Sequence, residues 1–99
     1  MGTPYPARFV PASVTIRLSD DGFHPSYVQS TNGHDLTITL VNDGTRPHGF
    51  TIEELGIDEI LQPGERRVIV IEDPPLGDFE FVSRAPGDES FKGELVFYI

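Results

Sequence analysis

The sequence predicts an all-β domain, a Greek-key sandwich or barrel of about seven or eight short strands. Three observations lead there. Apolar residues recur at every second position in several separate stretches, the period of a strand with one buried face. Almost no stretch carries the period of about 3.6 residues that marks an amphipathic helix. The ten glycines and nine prolines are spread along the 99 residues, which suits short strands joined by turns rather than a low-complexity linker.

The first strand comes from Val14, Ile16 and Leu18 alternating with Thr15 and Arg17. A second is expected from Ser26 to Ser30. It is followed by a turn at Thr31-Asn32-Gly33-His34-Asp35, where Asn-Gly tolerates the positive backbone angles of a tight hairpin. Leu36-Thr37-Ile38-Thr39-Leu40-Val41 alternates cleanly. A loop built from Asn42, Asp43, Gly44 and Pro47 then leads into Gly49-Phe50-Thr51-Ile52-Glu53.

For Leu55-Gly56-Ile57-Asp58-Glu59-Ile60, the glycine and the short length favour irregular structure. Pro63-Gly64-Glu65 is a turn, Arg66 to Ile71 a strand, and Asp73-Pro74-Pro75-Leu76-Gly77 a second turn. Phe79 and Phe81 share a face of the next strand; Leu95, Phe97 and Ile99 share a face of the last. The expected core is Val14, Ile16, Phe23, Val28, Leu36, Ile38, Leu40, Phe50, Ile52, Val68, Val70, Phe79, Phe81, Leu95 and Phe97. At about 25 cal/mol per Å² of buried apolar surface, that set holds a small domain together without cross-links. One domain is expected over residues 1–99, with 1–12 an N-terminal extension or first edge segment.

A net charge of −9 argues against a nucleic-acid partner, whose phosphates require clustered Lys and Arg, and against anionic membranes. It fits a basic protein partner. With no cysteine, disulfides, zinc-thiolate sites, iron–sulfur clusters and cysteine nucleophiles are ruled out. Met1-Gly2-Thr3-Pro4-Tyr5-Pro6 carries no apolar signal core, and no run is long enough to cross a bilayer as a helix. No enzyme is expected. The serines lack a Gly-x-Ser-x-Gly elbow, and neither a glycine-rich phosphate loop nor His-Glu-x-x-His is present.

Several segments together carry a family likeness. They are Phe23-His24-Pro25-Ser26, Gly33, Leu40-Val41-Asn42-Asp43, Pro47-His48-Gly49-Phe50, Pro63-Gly64, Gly77-x-Phe79-x-Phe81 and Phe91-Lys92-Gly93-Glu94-Leu95-Val96. In that order, from about Val14 to Val96, the chain resembles the cupredoxins, the plastocyanin and azurin family. The family binds copper through two His nitrogens, a Cys thiolate and a weak axial Met, a soft set that suits both copper oxidation states. Carried over by motif, His48 matches the first His, Ser83 stands at the Cys position and Phe91 at the Met position. The second His falls on Asp88 if Pro86-Gly87-Asp88 is matched to Pro-Gly-His, or on Pro86 if the loop is aligned as in plastocyanin.

The resemblance therefore implies a cupredoxin-like domain that has lost most of its blue-copper ligands and serves binding or interaction, with no cofactor expected. Ephrin-like members of the fold show that recognition without copper is open to it. The expected contact surface is the loop end around Arg46, Pro47, His48, Pro86 and Phe91. The alternative is metal binding, of copper, zinc or iron, through His48 with Asp88, Glu89 or His24 as candidate ligands. In the interaction reading Asp88 and Glu89 are solvated loop acids. A second alternative, electron transfer through a copper centre, needs a cysteine where Ser83 stands. By the same resemblance the compartment is periplasmic or extracellular, although the absence of a signal segment leaves the cytoplasm open.

Overall fold

The computed structural model describes residues 12–99; the proposed N-terminal extension falls, apart from Ala12, outside them. Nine strands appear among these residues: β1 (Ala12–Ser19), β2 (Gly22–His24), β3 (Tyr27–Thr31), β4 (Leu36–Asn42), β5 (His48–Ile52), β6 (Ile57–Leu61), β7 (Arg66–Ile71), β8 (Gly77–Val82) and β9 (Lys92–Tyr98). They form a four-stranded sheet in the order β2-β1-β4-β7 and a five-stranded sheet in the order β3-β9-β8-β5-β6. The pairs β1/β4 and β3/β9 are parallel and the rest antiparallel. This is the two-layer all-β architecture the alternation implied.

β4 shows how sequence becomes layer. Leu36, Ile38 and Leu40 are buried while Thr37, Thr39 and Val41 between them are half exposed. The β1 partners of those leucines and isoleucine are Ala12, Val14 and Ile16 in register, so the inward rows of the sheet are continuous. From the other sheet, Phe50, Ile52, Phe81, Leu95 and Phe97 close the core. Phe23 stands edge-on to Phe50, Phe81 and Phe91, with ring centroids 6.0, 4.9 and 6.1 Å away. Such tilted contacts match the positive edge of one ring to the negative face of the next.

The Pro63-Gly64 turn forms as expected. Glu65 N–H donates to the Gln62 carbonyl at 2.9 Å, and Gly64 sits at φ +82°, the third position of a type II turn, which only glycine occupies without strain.

Other expectations are corrected. The Thr31–Asp35 turn does not join a hairpin: β3 and β4 belong to different sheets, and the segment carries the chain from one layer to the other. Gly33 is not at positive φ. Leu55–Ile60 is not irregular, since a single 3-10 turn at Glu53–Leu55 leads directly into β6, an edge strand paired with β5. β7 faces the opposite way from the expectation. Val68 and Val70 are 57% and 50% exposed, and the inward row is Arg67, Ile69 and Ile71. Finally, Leu18, Leu61 and Ile71, absent from the expected core, belong to it.

Candidate functional site

Three connections meet at one end of the sandwich: the β1–β2 turn with Asp20, the β4–β5 loop with Arg46, and the β8–β9 loop with Asp88. His48, the first residue of β5, lies between them, with none of its surface exposed. Its Nδ1 is 2.7 Å from Asp88 Oδ2 and its Nε2 is 2.9 Å from Asp20 Oδ1. Each ring nitrogen thus has a carboxylate oxygen within hydrogen-bonding distance. Asp88 is also fully buried. Besides His48, its carboxylate takes the Ser83 hydroxyl at 2.6 Å and Arg46 Nη2 at 2.7 Å. The buried Asp88 carboxylate is thus met by Arg46, Ser83 and His48 together, the condition under which buried charge is tolerated.

The local sequence explains each position. Asn42 at the end of β4 is buried and shapes the loop: its amide donates to the carbonyls of Arg46 (3.0 Å) and Leu61 (2.9 Å), while its side-chain oxygen accepts Gly44 N–H at 2.8 Å. This turns Arg46 toward Asp88. Gly44 passes so close to the cluster that a β-carbon there would collide with the Asp20 carboxylate and lie 2.8 Å from His48 Nε2. Thr45 anchors Asp20 through its N–H (2.9 Å to Oδ1) and hydroxyl (2.7 Å to Oδ2). Ser83 accepts Gly49 N–H at 2.8 Å, so its hydroxyl ties the start of β5 to the β8–β9 loop.

The electrostatics follow this geometry. The Asp20 carboxyl is held well below the usual carboxylate range, first by the hydrogen bond from His48 and then by those from Thr45. Burial pushes Asp88 up, but hydrogen bonds from Ser83, His48 and Arg46 together outweigh it, and its carboxyl also lies below the ordinary value.

Among the residues singled out in the sequence, His48, Asp88, Ser83 and Arg46 come together. Asp88 is not a solvated loop acid: its side chain points into the cluster because three donors there need an acceptor. Phe91 stacks on His48, with centroids 5.5 Å apart and planes 24° from parallel, and Arg46 covers its ring at 5.9 Å. Pro47 and Pro86 are exposed, Arg46 and Phe91 are partly buried, and His48, being buried, is no part of an outer contact surface. Glu89 is exposed and accepts Gly87 N–H at 3.3 Å. His24 pairs instead with Asp21 at 2.8 Å. The residue the sequence did not reveal is Asp20: an acid beside a turn glycine is commonplace, and its partner lies 28 positions away.

Asp20 and Asp88 occupy opposite edges of one imidazole, so their oxygens do not converge with a ring nitrogen on one point. Among the described residues no group of three or more His, Cys, Asp or Glu side chains is placed to hold a metal ion. The described residues include no helix long and apolar enough to cross a membrane.

The model of the cupredoxin-like domain matches residues 7–97. The chain belongs to the cupredoxin-like domain family. None of the curated protein sequences matches it. Among solved structures, this cupredoxin-like chain is similar to the dithionite-reduced auracyanin of Roseiflexus castenholzii, with a TM-score of 0.76 at 15% identity over 89% of this chain and 98% of that one. It also resembles the metal-binding domain of the Cu(I)-exporting P-type ATPase of Streptococcus pneumoniae D39, determined with Cu(I), with a TM-score of 0.66 at 24% identity over 88% and 85% of the two chains. A third is the purple cupredoxin of Nitrosopumilus maritimus, with a TM-score of 0.64 at 16% identity over 84% and 97%. At these identities the likeness is one of fold.

Proposed function

We propose that this chain is a non-enzymatic cupredoxin-like binding domain without a blue-copper centre, in which a hydrogen-bonded ion-pair cluster takes the place of the metal. The observation that carries this reading is that both ring nitrogens of His48 are held by carboxylates. The residues present do not fit the family's copper centre. A serine stands at the thiolate position, and its oxygen is committed to Asp88 and Gly49. The axial position holds Phe91, which has no donor atom and lies against the imidazole. With no cysteine in the sequence, no thiolate is available to carry electron transfer.

In this reading the loop end is a rigid presentation surface. Pro47 and Pro86 are exposed above the cluster, with parts of Arg46 and Phe91 beside them, and prolines restrict the chain so that little entropy is lost when a partner docks. The proposed partner is a protein carrying a basic surface, in a periplasmic or extracellular setting.

The second reading, metal handling, is favoured by His48 keeping the family's first ligand position with Asp20 and Asp88 beside it, and by the fold's likeness to a domain determined with Cu(I). Copper, zinc or iron would have to displace hydrogen bonds that His48 already makes. Isothermal titration of the native protein and its His48→Ala variant with Cu²⁺ and with Zn²⁺ separates the readings. No saturable heat in either protein is the expected result. One-equivalent binding that is lost in His48→Ala overturns the proposal in favour of metal handling. Affinity capture with native and Pro47→Glu/Pro86→Glu baits then locates the contact surface, since a partner lost on that substitution docks at the loop end.

A further inference from the structure

β7 is the outer strand of the four-stranded sheet, and among the described residues no strand lies beyond it. Natural proteins shield such edges because their unpaired N–H and C=O groups template pairing with another chain. Here the edge is six residues long, without proline, and carries two exposed valines. Its outward side chains, continued one residue past the strand, read Arg66, Val68, Val70 and Glu72, and all four are exposed. Among the described residues no ion pair engages Arg66 or Glu72, whereas the inward Arg67 pairs with Glu59 and Glu65. An apolar pair flanked by an unpaired cation and an unpaired anion is self-complementary under a two-fold axis.

We propose that the β7 edge is a self-association surface whose partner is a second copy of this chain, paired antiparallel to make one continuous sheet. The register follows from the pleat. Residues directly opposite in an antiparallel pair point to the same face, so an outward residue must oppose an outward residue. Centring the axis on Ile69 meets that condition, sets Val68 opposite Val70 of the second copy, and sets Arg66 opposite its Glu72. It also overlaps β7 from Arg67 to its end at Ile71. Centring on Val68 instead opposes Arg66 to Val70, and centring on Val70 opposes Val68 to Glu72, so both leave the charges unmatched. The net charge of −9 disfavours self-association in general, which makes this charge-balanced edge the place where two copies can meet. The inference does not depend on the function proposed above.

Sedimentation equilibrium of the native protein, of Arg66→Glu, of Glu72→Arg, and of an equimolar mixture of the two variants tests this. The native protein is expected to dimerise as concentration rises, less so at high salt. Each single variant opposes like charges twice per dimer and is expected to weaken association about tenfold or more. In the mixture, a copy of one variant against a copy of the other again places one acid opposite one base at both ends of the paired edge. Association is expected to return there as a heterodimer. A native protein that stays monomeric through the millimolar range overturns the proposal. So do single variants that associate as the native protein does, or a mixture that associates no better than its components. All these substitutions are at exposed positions, and circular dichroism of each variant confirms that the fold is kept.

Discussion

Ile38, Leu40, Phe50 and Phe81 in the middle of the sandwich have no exposed surface, and neither do Asn42, His48 and Asp88 at its loop end. These residues are equally closed to water but are held by different forces. In the middle, burial itself stabilises, at about 25 cal/mol per Å² of apolar surface, with little regard for direction. At the loop end burial is unfavourable for every group, and only partners at the right distance and angle offset it. The core can absorb a change of shape. The cluster fails when one partner goes, because the others stay buried without it.

That difference sets the order of expected effects. Asp88→Ala strips the acceptor from His48, Arg46 and Ser83 together, and the expected loss is about 4 kcal/mol, read from urea denaturation. A loss below about 1 kcal/mol would mean the cluster is solvated. Leu40→Ala, in the apolar layer, is expected to cost about 3 kcal/mol through lost transfer energy and the cavity left behind, with the slope of the urea transition unchanged.

Acid provides a third way to separate the regions. Asp20 and Asp88 both ionise more readily in the folded chain than in the unfolded one, so the stability they contribute is present above the unfolded value of about 4 and is lost as pH falls through the folded values. Thermal unfolding should show the midpoint falling below about pH 4, and Asp88→Asn should flatten that slope while Leu40→Ala leaves it intact. The smallest effect belongs to Val68→Thr, expected to stay within about 0.5 kcal/mol by urea denaturation because the side chain faces outward. A core-sized loss there would restore the opposite facing of β7.

The same contrast accounts for what the sequence revealed. Period-two alternation identified β1, β4, β8 and β9, since a half-buried strand writes its inward face into every second residue. It could not orient β7, because Arg66-Arg67-Val68-Ile69-Val70-Ile71 is apolar on both faces beyond its arginines. Partner choice was equally hidden. The Asn-Gly at positions 32 and 33 signals a local turn, but the parallel partners of β3 and β4 are β9 and β1, chosen by the packing of whole layers. At the loop end, His48, Ser83, Asp88 and Phe91 were found through a family motif. Nothing in their spacing said that Asp88 is buried or that Asp20 completes the cluster, since hydrogen bonds between residues 28 and 40 positions apart leave no periodic trace.

The metal-free reading of the loop end depends on His48 being held at both ring nitrogens by carboxylates. Long-range proton–nitrogen correlation spectra of its imidazole, recorded before and after one equivalent of Zn²⁺, test that directly. Ring nitrogens whose shifts do not change on adding zinc are the predicted result. One nitrogen with a free lone pair that shifts on adding zinc would contradict it and make His48 a metal ligand.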